Sequence, residues 1–242
     1  MRETAEFINL YSRQRGVNRF PGVVELLRML RLRPEVQARG VRIDVPAALA
    51  AWCAAETRLG NPALQAKVDA GSDHGLRRAL DWSLDVNRAI DDMVHDLPPF
   101  PLVRECLASL AGRADAVVCS ATPNAALEKE WAEHDLTRYV TKICGQEIGS
   151  KKEILQNAKK YPPRHTLMIG DAPGDYQAAL ANDCLFFPIN PGREDASWKR
   201  LHDEGLSKFF DESFDSAYQA TLLEEFMSLL PERPAWSEVE PS

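Results

Sequence analysis

From about Leu102 onward, helix-forming stretches of roughly ten residues alternate with apolar runs of four to six, and this rhythm restricts the fold more than any other feature of the chain. "LVRECLASLAG" leads into "ADAVVCSATP", "NAALEKEWAEHD" into "YVTKICG", "KKEILQNAKK" into "HTLMIGD", and "GDYQAALANDC" into "LFFPINP". Short continuous apolar runs between helices are strands buried on both faces, so the segment predicts βαβ units and a parallel sheet with four strands legible. The hundred residues ahead of it have a different period. Apolar positions recur at three and four in "AEFINLY", "VVELLRML", "PAALAAWCAAETRL" and "HGLRRALDWSLDVNRAI", which predicts an α-helical unit. "DLPPFP" separates the two, because successive prolines disfavour helix both at and before themselves. The expected organisation is a helical domain over 1–97, an α/β core over 98–227, and a proline-rich acidic tail over 228–242 that packs loosely or not at all.

Charge and composition exclude several classes. With 242 residues, 45% hydrophobic and 27% charged, the chain can bury a substantial core. A net charge of −7 argues against nucleic acid or an anionic membrane as a general partner, since both select for positive surplus. No apolar run approaches the ~20 residues needed to cross a bilayer, and "MRETAEFINLY" lacks a secretory apolar stretch, so a cytoplasmic location is expected. The five cysteines are widely spaced and predict buried reduced thiols. The histidines show no zinc-ligand spacing.

In parallel sheets ligands gather at the carboxyl ends of the strands. Those ends carry Ser120 and Thr122 after "AVVC", Lys151 and Lys152 in "GQEIGSKKE", and Asp171 and Asp175 after "LMIG". Paired carboxylates suit Mg²⁺, an ammonium neutralises phosphate oxygens, and a hydroxyl with the neighbouring Ala121 N–H orients them. Each residue also has an ordinary role: Asp175 as a helix cap, Asp171 in a turn, Ser120 at a strand end, the lysines solvated at a helix start. Their joint order favours a phosphoryl and metal site. "GQEIGSKK" fails the P-loop pattern, because Ser150 stands where the lysine is needed, and no G-x-G-x-x-G follows a strand. A receiver domain places its acidic pair first, whereas here it comes last.

This order resembles the haloacid dehalogenase-like (HAD) hydrolase superfamily. "AVVCS" matches its second motif at Ser120, Lys151 its lysine with Lys152 as the fallback, and "LMIGDAPGD" its G-D-x-x-x-D. "PPFPLVRECLASLAG" is similar to its return from a helical cap, with Leu102 in place of the usual glycine. The resemblance implies a Rossmannoid core with an N-terminal helical cap, Mg²⁺ on Asp171 and Asp175, phosphate on Ser120, Ala121 and Lys151, and a small phosphorylated metabolite as substrate. It also implies a first strand ending in D-x-D, whose leading aspartate is the nucleophile, lying between the strands of the second and fourth motifs. No two aspartates of this chain stand at that spacing. The expectation is therefore a core missing its first strand: an N-terminally truncated phosphatase, inactive as given, with a non-catalytic protein binding a phosphate ligand or a protein partner as the alternative. Arg13, Arg15 and Arg19 in "SRQRGVNRF", and Asn190 and Arg193 in "INPGREDASW", are secondary candidates for anionic substrate, with surface solvation as their ordinary role. Trp198 and Trp236 are expected to pack.

Overall fold

The computed structural model describes residues 1–71 and 73–237, except the side chains of 158 and 159. It divides into two compact units, Met1–His95 with Pro231–Ser242, and Asp96–Leu230.

The first unit is helical. It comprises α1 (Arg2–Leu10), α2 (Arg19–Leu32), the short α3 (Pro34–Ala38), α4 (Ala47–Ala55), α5 (Asn61–Asp69) and α6 (His74–Met93). The apolar stripes of α2, α4, α5 and α6 close around Phe20, Leu49, Trp52, Leu64 and Leu80, with Phe20 set edge-on to Trp52 at 5.2 Å. Side-chain caps fix two starts: Asn18 accepts from the Phe20 N–H, and Asp73 from the Leu76 N–H. Arg19 is no solvated turn residue. Its guanidinium donates to the Ser83 carbonyl, to Ser83 Oγ and to Asn87 Oδ1, tying α2 to α6. Arg13 and Arg15 lie near the surface of the same unit, Arg15 donating to the Leu10 carbonyl.

The expected loose tail is corrected for residues 228–237. Leu230 is fully buried, the Pro231 carbonyl accepts from the Arg13 N–H, and the Trp236 ring lies under the Arg33 guanidinium at 5.1 Å. Arg33, itself buried, also reaches Glu3, Glu35 and Thr4. The proline-rich composition hid two anchors, a leucine at the end of a helix and a tryptophan under an arginine. Residues 238–242 lie outside the described residues.

The second unit is α/β. Its order is α7 (Val103–Ser109), β1 (Val117–Cys119), α8 (Asn124–Glu133), β2 (Lys142–Cys144), α9 (Lys151–Leu155), β3 (Leu167–Gly170), α10 (Pro173–Leu180), β4 (Leu185–Pro188), α11 (Glu194–Arg200), α12 (Leu206–Phe210) and α13 (Ser216–Ser228). All four strands expected from the apolar runs are present and parallel, but they do not form one sheet. β1 pairs only with β2 and β3 only with β4 among the described residues. The β3–β4 pair is covered on both faces. Phe186 packs with Met168, Ala179, Phe226 and Leu230, while its neighbour Phe187 points to the other side, toward Leu201, Leu206, Phe214 and Leu222. The β1–β2 pair contributes to none of the three apolar clusters, and Val117 is 48% exposed. Leu102, where α7 begins, takes a left-handed backbone at φ 67°, a conformation that a side chain disfavours and glycine tolerates.

Candidate functional site

Lys151 occupies the first turn of α9, and the local sequence explains why the helix starts there. Ser150 Oγ accepts from the Glu153 N–H while Glu153 Oε2 accepts from the Ser150 N–H, a reciprocal cap spelled S-x-x-E. A cation at a helix N-terminus faces the positive end of the dipole, so it needs an anion nearby to be stable. Lys151 has one. Its ammonium forms an ion pair with Asp175 Oδ1, and Asp175 is 1% exposed.

Asp175 lies in the first turn of α10 and works in two directions. Oδ1 takes Lys151, and Oδ2 accepts from the backbone N–H groups of Asp171 and Ala172, each at 3.1 Å. The sequence weighs Asp175 as the N-cap of its helix; the structure instead places it third in α10, after Ala172 as the cap residue, where its carboxylate holds the N–H groups ahead of the helix and also pairs with Lys151. Asp171 itself is exposed at the lip of β3. The packing leaves no room for a side chain at Gly170, whose Cβ would fall 2.5 Å from Asp175.

The end of β1 lies against the same group. Cys119 Sγ is 4.0 Å from the Lys151 carbonyl, and burial pushes its thiol up to about 11, with the Lys151 charge opposing that rise and Asp175 adding to it. Ser120 follows directly. Its N–H extends the β1–β2 ladder to the Cys144 carbonyl, and its Oγ accepts from the Thr122 N–H at 3.1 Å. The Ala121 N–H donates to no group among the described residues and stands exposed. Lys152 points elsewhere: its side chain is exposed and its carbonyl accepts from Asn182. The structure thus brings Cys119, Lys151, Asp175 and the Asp171 backbone into one contiguous set, with Ser120 and Ala121 next to it in the chain.

Several supporting residues escaped the sequence. Gly145, after β2, sits so close to the turn after β1 that a Cβ would meet the Asn124 N at 2.6 Å and the Thr122 O at 2.7 Å. Asn124 Oδ1 accepts from the Gly145 N–H, and Glu147 accepts from the Asn124 N–H, which holds its carboxyl below the usual range. These contacts clamp the Ser120 turn to the end of β2. Of these supports only the S-x-x-E cap has a local sequence signature; the glycine and asparagine contacts depend on strand register. Asn190 and Arg193 belong to a different cluster around Glu225, which takes Asn190 Nδ2 at 3.0 Å, Arg193 at 3.7 Å and Arg200 at 2.7 Å. Trp198 packs against the core of this unit, on the Phe187 side of the strands.

The carboxylates present do not fit a metal by themselves. Both Asp175 oxygens are engaged, and no group of three or more histidine, cysteine, aspartate or glutamate side chains able to hold a metal occurs among the described residues. All five cysteines are free thiols, three of them buried. No helix among the described residues is long and apolar enough to cross a membrane. Compared with protein-family models, curated proteins and solved structures, the chain matches none.

Proposed function

We propose that the chain is the phosphate-gripping portion of a Mg²⁺-dependent phosphomonoester hydrolase of the haloacid dehalogenase-like superfamily, without the nucleophile. The observation that carries this is the Lys151–Asp175 pair set beside the Cys119–Ser120 end of β1. In this role the Lys151 ammonium balances phosphate oxygens, while Ser120 Oγ and the Ala121 N–H orient them. Asp175 positions Lys151 and has no free oxygen for the substrate. The attacking carboxylate and the proton donor would come from a D-x-D strand that these 242 residues do not contain. The one-sided pairing of β1 and of β3 among the described residues supports that view, because an inserted strand would satisfy both edges. Mg²⁺ would depend on the same added carboxylates, with Asp171 as this chain's contribution.

The absence of any D-x-D also favours a second reading, a non-catalytic protein that holds a phosphorylated ligand or a partner. Turnover of p-nitrophenyl phosphate with Mg²⁺ separates the two. We expect none from this chain, and measurable turnover from a version extended upstream by an apolar strand ending in D-x-D. An inert extended chain that still binds inorganic phosphate, and loses it on Lys151→Met, would establish the binding role. If neither chain turns over ester or binds phosphate, the hydrolase reading and the phosphate-ligand form of the second reading both fail.

A further inference from the structure

Residues 41–45 of the helical unit, "VRIDV", alternate apolar and charged side chains as a strand does, yet lie in no strand. They run between Gly40, held at φ 62°, and Pro46, which precedes α4. The backbone groups of Arg42, Ile43, Asp44 and Val45 make no hydrogen bond among the described residues. Val45 packs on the unit's core, Val41 is 54% exposed, and Arg42 and Asp44 are exposed and form no ion pair among those residues. An open concavity of about 490 Å³ lies over the segment, lined by it and Arg31. The Val41 N–H donates to the Val36 carbonyl, but a strand-patterned stretch whose N–H and C=O groups are free over residues 42–45 is a template for another strand.

The charge order selects the occupant. We propose that residues 41–45 pair antiparallel with the same residues of a second copy, around a two-fold axis at Ile43. That register sets Arg42 opposite Asp44 of the second copy, and Asp44 opposite its Arg42. Val41 then faces Val45, and Ile43 faces Ile43, on the other side of the ribbon. A parallel in-register pair would instead stack Arg42 on Arg42 and Asp44 on Asp44, two repulsions in place of two attractions. Free backbone groups, alternation and self-complementary charge agree on one symmetric arrangement. A five-residue ribbon buries less than the roughly 1,200 Å² of a stable complex, so the dimer is weak and concentration-dependent.

Sedimentation velocity on the full chain over a concentration series reaching about 1 mM tests this. We expect a reversible monomer–dimer equilibrium. Arg42→Asp alone, or Asp44→Arg alone, places like charges opposite one another twice per dimer and weakens association about tenfold. The combined R42D/D44R variant restores opposite charges and returns association to within about threefold of the parent. Circular dichroism checks that these exposed substitutions leave the fold intact. A chain that stays monomeric throughout, single variants that associate as the parent does, or a combined variant that fails to recover would each overturn the proposal.

Discussion

Lys151, in the first turn of α9, forms an ion pair with Asp175, in the first turn of α10; the carboxylate is 1% exposed and the ammonium 30%. Removing either partner has a different consequence. Lys151→Met leaves a buried carboxylate held only by two backbone N–H groups, a loss of about 3 kcal/mol. Asp175→Ala lets the ammonium turn to water but strips the start of α10, a loss of about 2 kcal/mol. Urea denaturation of both single variants and the double variant checks this: the double loss should fall short of the sum by at least about 1 kcal/mol. Additive losses would mean that the pair does not couple.

Three glycines separate steric need from helix propensity. At Gly170 a Cβ meets Asp175 and at Gly145 it meets the backbone of Asn124, so alanine at either should cost about 2 kcal/mol or more. Gly174, within α10, has nothing within 4 Å of a Cβ, and Gly174→Ala should stabilise by about 0.5–1 kcal/mol. Melting temperatures should move down for the first two and up for the third.

Leu102 carries a positive φ at the start of α7. A direct replacement by glycine mixes backbone relief with lost side-chain packing, so the informative comparison is between two truncations. Leu102→Gly should be more stable than Leu102→Ala by about 1 kcal/mol, the reverse of the order inside a helix. Chemical denaturation of the two variants measures the difference.

Cys106 and Cys119 have thiols that burial pushes from 9.0 up to about 11. The folded chain therefore holds these protons where the unfolded chain has lost them. Stability is unaffected well below pH 9 and falls as the pH rises from about 9 toward 11. Replacing Cys119 by alanine should flatten part of that fall in a series of denaturation curves. At pH 8 both thiols should react with a disulfide reagent far more slowly than in urea.

The periodicity of single segments determined a good deal. Apolar residues at three and four gave α1, α2, α4 and α6, and the short apolar runs gave all four strands, because burial of a stripe or a strand is written locally. The proline joint likewise marks the boundary between the two units. The candidate residues Ser120, Lys151, Asp171 and Asp175 stood out for a related reason: each lies directly after an apolar run or in the first turn of a helix. Residue type alone does not separate Lys151 from Lys152; only the resemblance puts Lys151 first, with Lys152 as the fallback, and the two differ in where their side chains point.

Which of the two meets Asp175 is decided by tertiary structure, through the Ser150–Glu153 cap and the buried carboxylate that pairs with Lys151. So are the splitting of four parallel strands into two pairs, the steric demand at Gly145 and Gly170, and the lack of a strand partner for residues 41–45 among the described residues. Each depends on groups far apart in the chain, and periodicity reports which face of a segment is buried but carries no information about which other segment covers it.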